Sequence, residues 1–210
     1  MAEPHDEFAW VAEFGPLSQV SSVSFVRTLS PAEALTRLGA RSIEPATFEQ
    51  VEEGAMTALD LDYTSYAGAL QKDGWTIVIE LWSTAIPVHP PLLHRLSQGT
   101  EVVSINRNVH ASDYFSHSSD GDLATWFDLL GPDVRMGTAP DRLADLMRDV
   151  GLDPDLDRYA DEDEDEEYLD DPYIGTEFPR AFALAKRITG FPFTRDLLDG
   201  PLVGAQFSWS

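Results

Sequence analysis

The sequence predicts an α+β fold, a largely antiparallel central sheet of about five to six strands with helices packed against it. Two observations carry that expectation. Runs of β-branched and aromatic residues gather in the middle of the chain, while helical periodicities lie toward its ends. The stretch Trp75–Trp82 is almost continuously apolar, as a central strand covered on both faces must be. With 210 residues, 43% of them hydrophobic, the chain can bury a core of single-domain size.

Val20–Leu29 is rich in Val, Ser and Phe and reads as the first strand. It runs into Ser30-Pro31-Ala32-Glu33, a capping box with proline at the first helical position. Ala34, Leu35 and Leu38 form the apolar side of that short helix, and Gly39 ends it. Thr47 caps a second, weaker helix over Phe48–Met56. Tyr66–Gln71 and Trp75–Trp82 form a hairpin about Lys72-Asp73-Gly74. Pro87, Pro90 and Pro91 break the pattern before a short helix at Leu92–Leu96. Glu101–His110 is a strand, and Phe115–Ser118 and Leu123–Leu129 pair about Ser119-Asp120-Gly121-Asp122. Leu143, Leu146, Met147 and Val150 give Asp141–Val150 a helical spacing, and a last helix covers Phe178–Ile188. The expected organisation is a main domain at 1–152, an acidic and flexible insert at 153–175, and a helical segment at 176–210 that packs back on the main domain.

Composition narrows function. Net charge is −23, from 37 acids and 14 bases, and residues 153–171 alone hold twelve acids against one arginine. Such a surface repels phosphates and anionic lipid, so no direct nucleic-acid or membrane binding is expected, whereas a basic protein partner would be attracted. The absence of cysteine excludes disulfides, thiolate metal sites and cysteine nucleophiles. No basic and apolar leader opens the chain, and no apolar run reaches bilayer-spanning length, so the expected location is the cytoplasm.

Three patterns carry candidate chemistry. Asp153, Asp155, Asp157, Asp161 and Glu164 stand at positions 1, 3, 5, 9 and 12 of a calcium-binding loop, where hard oxygens would surround the ion. Arg158 occupies position 6, where the sharp turn wants glycine, and in so acidic a segment the match also arises by chance. Glu80 sits among Ile77, Val78, Ile79, Leu81 and Trp82, where a carboxylate is costly unless paired, with Arg107 the natural partner. Ser104, Asn106 and Asn108 alternate along one strand face, so Glu80, Trp82, Asn106, Arg107 and Asn108 are the binding-face candidates; the alternative is a merely solvated face. The five histidines have no metal-ligand spacing. No nucleophile elbow or phosphate-binding glycine loop is present, so no catalytic residue and no cofactor is expected.

Four blocks in order, Phe25-Val-Arg-Thr-Leu-Ser-Pro-x-Glu-x-Leu-x-Arg-Leu-Gly39, Gly74-Trp-Thr-Ile-Val-Ile-Glu80, Leu96-Ser-x-Gly-Thr-Glu-Val-Val-Ser-Ile-Asn-Arg-Asn-Val109 and Arg187-Ile-Thr-Gly190, resemble the actinobacterial (Streptomyces-type) domain-of-unknown-function family 6461. The resemblance spans roughly residues 8–198, with the acidic insert particular to this chain. It implies an actinobacterial origin and supplies no catalytic residues. The leading expectation is a non-enzymatic acidic binding protein that engages a basic protein in the manner of an immunity protein, inhibitor or adaptor. The alternatives are a calcium- or divalent-responsive protein using the 153–164 loop, and an enzyme with an acid/base site at Glu80 and a histidine. Oligomeric state is left open.

Overall fold

The structure, a computed structural model, describes residues 2–108, 113–156 and 173–209. Its elements in chain order are β1 (Ser21–Arg27), α1 (Pro31–Leu38), β2 (Glu44–Ala46), α2 (Phe48–Ala58), β3 (Thr64–Lys72), β4 (Trp75–Leu81), α3 (Ala85–Val88), α4 (Pro90–Ser97), β5 (Glu101–Arg107), β6 (Tyr114–Ser119), β7 (Asp122–Asp128), β8 (Arg135–Met136), α5 (Ala144–Asp149), α6 (Glu177–Thr189) and β9 (Leu202–Ser208). The nine strands form one sheet in the order β2-β9-β3-β4-β1-β5-β6-β7-β8, with every pair antiparallel.

The α+β class and the antiparallel sheet hold, but the sheet is larger than the five to six strands expected. The added strands are the short edges β2 and β8 and the internal β9. Leu202–Ser208 carries glycine, alanine and glutamine between its apolar residues, so its alternation is weak. Its burial comes from tertiary packing between β2 and β3.

Both faces of the sheet are covered. Val23, Phe25, Ile77, Ile79, Val103, Ile105, Phe115 and Phe127 point to one face, where they meet α2, α5, α6 and the 3₁₀ turns at the N-terminus. Val26, Val78, Val102, Ala67, Ala69 and Phe207 point to the other, beneath α1, α3 and α4. This explains the unbroken apolar run of β4, every residue of which is buried.

Local chemistry sets the corners. Ser30 accepts from the Glu33 N–H at 3.3 Å while the Glu33 carboxylate accepts from the Ser30 N–H at 2.9 Å, the reciprocal cap read from sequence. Thr47 and Gln50 repeat it at α2. Both two-residue hairpin turns, Asp73-Gly74 and Asp120-Gly121, have positive φ at each residue, the geometry that matches strand twist. The expected helix over Asp141–Val150 divides into a 3₁₀ turn, Pro140–Leu143, and α5. No helix among the described residues is long and apolar enough to cross a membrane.

Candidate functional site

The binding-face candidates do not make one surface. Glu80 and Asn106 lie on the face beneath α3 and α4, both at 1% exposure or less. Arg107 stands in register with Ser21 and Leu81, so its side chain leaves by the opposite face. There its Nη2 is 2.7 Å from Asp113 Oδ2, and its guanidinium lies 4.1 Å from the Phe178 ring centre. The expected Glu80–Arg107 pair is therefore absent, because the two residues are one position out of phase. Trp82 follows β4 at φ +59 and packs against the α6-side core, and Asn108 follows β5. The polar row is not solvated either. Ser104 shares a hydrogen bond of 2.7 Å with Ser24 inside the protein.

Glu80 has found other partners. One oxygen accepts from Ser22 Oγ (2.8 Å) and the Ile86 N–H (3.0 Å), and the other from Ser65 Oγ (3.0 Å) and the Ala85 N–H (3.2 Å). The carboxylate thus ties three strands of the sheet to the first turn of α3, and none of it reaches water. Enclosed in this way it cannot exchange protons with a substrate.

Burial pushes the Glu80 carboxyl up against the lowering pull of its four donors. Burial likewise raises Asp113 against Arg107, and Asp128 against the N–H groups of Leu130 and Gly131. A carboxyl raised on folding contributes stability that is fully present below its unfolded pKa and lost as pH rises through its folded one. Glu101 is the opposite case. Burial raises it, but His117 at 2.7 Å and Arg27 at 3.2 Å outweigh burial, so its contribution fades only in more acid solution. The melting temperature should therefore climb as pH is lowered from about 7 to about 5, helped by relief of self-repulsion. Calorimetry across that range checks the sign, and a falling melting temperature would contradict it.

Asp157, Asp161 and Glu164 of the proposed calcium loop lie outside the described residues. Asp155 Oδ2 is held by Arg148 at 2.8 Å, and Asp153 Oδ1 accepts from the Asp155 N–H at 3.0 Å. Both are engaged locally, and among the described residues no three acids or histidines gather where they would hold a metal.

One surface stands out that sequence reasoning missed. Among the described residues, nine large hydrophobics are exposed, and four of them fall within eight positions: Met56, Leu59, Leu61 and Tyr63, at 57, 59, 46 and 64%. They line the end of α2 and the turn into β3. Val51, Ala55 and Ala58 take the buried side of α2, which packs so closely on β3 that a Cβ at Gly68 would lie 2.6 Å from Val51 Cγ2. Glu49, Glu53, Asp60 and Asp62 are exposed around the patch and make no ion pair among the described residues. Residues 42–71 contain six acids and no lysine or arginine. Tyr63 also holds φ +51, an unfavourable backbone state for a bulky residue, although its side chain is not packed away in return. The signal was present in the sequence as Met56 off the Val51–Ala55–Ala58 side of α2, with Leu59 and Leu61 just beyond its end.

The family model described as a family of unknown function, DUF6461, matches residues 1–208. The chain belongs to that family. The match takes in the acidic segment as well as the four sequence blocks, so in DUF6461 the unit is nearly the whole chain. No curated protein and no solved structure matches it.

Proposed function

We propose that this DUF6461 protein is a non-enzymatic, cytoplasmic binding protein that engages a basic protein partner at the Met56–Tyr63 surface. The observation that carries the reading is an exposed apolar cluster inside a base-free, acid-rimmed stretch. Apolar patches rimmed by polar residues mark interaction sites, and the charge selects the partner's sign. The patch supplies anchors that desolvate on docking, while the rim speeds encounter. An overall charge of −23 extends the same field around the molecule.

The test is affinity capture of the tagged protein at low salt, elution at high salt and identification of what elutes. The expected result is one basic protein in near-stoichiometric amount. Its purified complex should weaken as salt rises and should weaken again in Leu59→Ser. Affinity indifferent to ionic strength would remove the electrostatic part of the reading, and affinity indifferent to Leu59→Ser would remove the surface.

A further inference from the structure

A second surface, which meets the first where the Trp209 N–H donates to the Tyr63 carbonyl at 3.1 Å, has a different charge. Residues 81–100, which supply α3 and α4, contain no acid at all, although the chain has 37. Between α4 and the β6–β7 hairpin lies a groove of about 750 Å³, within the range of small-molecule sites. His94 Nδ1, 2.9 Å from the Gly121 carbonyl, pins the helix to the hairpin turn and so fixes the groove's width.

Its lining combines flat apolar surface with a few polar groups. Trp126 stands on one wall, with Tyr114 against it at 4.8 Å between ring centres. Trp209 and Pro90 line the groove too, and the Trp209 ring is 5.1 Å from that of His89. Arg95 lines the groove with no side-chain ion pair or hydrogen bond among the described residues, as is also true of Arg41, Arg142 and Arg187, none of which lines it. Asp122, also unpaired, lines the groove from the hairpin. Ser118 also borders the groove, but its hydroxyl, without a partner among the described residues, is sealed off from it.

We propose that this groove binds a small flat heteroaromatic compound that carries an anionic group. The ring stacks on an indole of the lining, Trp126 or Trp209, where any flat π-face is accepted. The anion pairs with the free guanidinium of Arg95, whose fork fits a phosphate or carboxylate. The exposed Asp122 carboxylate accepts from an N–H or O–H on the ring or its substituents. The groove adjoins the Met56–Tyr63 surface at Trp209, but a ligand in it needs no protein partner docked on that surface.

The shared chemistry, ring plus anion, occurs in nucleotides and in aromatic carboxylates. Calorimetric titrations with adenosine 5′-monophosphate and with indole-3-acetate separate the two, with the indole N–H resonances of Trp126 and Trp209 as a second readout. At least one probe should saturate in the millimolar range or tighter and shift the resonance of the indole it stacks on. Arg95→Gln should weaken that probe by about tenfold, the effect of losing a charge-assisted hydrogen bond. The same variant should leave the uncharged counterpart, adenosine or 3-methylindole, unchanged. Saturation by neither probe, equal binding of charged and uncharged probes, or indifference to Arg95→Gln would each overturn the proposal. Arg95 is exposed, so the variant folds like the parent, and its melting temperature verifies this.

Discussion

Replacing Glu80 with alanine is expected to lower the unfolding free energy by about 4 kcal/mol. The side chain is fully enclosed, and its loss strands two serine hydroxyls and two backbone N–H groups where no water can reach them. Glutamine keeps one acceptor oxygen but turns an NH₂ toward two of the donors, so Glu80→Gln should cost about 2 kcal/mol. Because burial raises the Glu80 pKa, the glutamine variant should also lose part of the rise in stability between neutral and mildly acid pH. Urea unfolding at both pH values measures both effects. A cost for alanine below about 1 kcal/mol would mean that α3 is held by its apolar contacts and that the carboxylate is incidental.

Tyr63→Gly should do the reverse: weaken partner binding by roughly thirtyfold or more, the scale of an aromatic hot spot, without lowering the melting temperature. Glycine relaxes the positive φ at this position, and a side chain 64% exposed contributes little to the core. A variant as stable as the parent that no longer binds would separate recognition from folding at one residue. Full retention of binding would remove Tyr63 from the interface. A large loss of stability would show that its ring is structural.

Much of the fold was legible because local and global signals agreed. Ser30-Pro31-Ala32-Glu33 specifies its corner through hydrogen bonds among four neighbouring residues, and Asp73-Gly74 specifies its hairpin through φ alone. Trp75–Leu81 announced double coverage by its lack of alternation. The site was less legible. Glu80 was recognisable as a carboxylate needing partners, but its donors come from Ser22, Ser65 and the turn at Ala85, which only the strand register brings together. Asn106 and Ser104 alternate as a solvated face would, and only the position of α3 and α4 shows that the face is closed. The patch at Met56 and Tyr63 is defined by what fails to cover it, a property of the whole assembly.

The position of β9 has a consequence for synthesis of the protein. Residues 202–208 are inserted between β2 (Glu44–Ala46) and β3 (Thr64–Lys72), which were made long before them. While the ribosome translates the intervening chain, β3 has one open edge, with N–H and C=O groups available to any extended strand nearby. The sheet cannot close until residue 208 has emerged, so cooperative folding waits for a segment made well after β3. A nascent chain in this state needs either a chaperone or its own negative charge to stay apart from its neighbours on the same messenger.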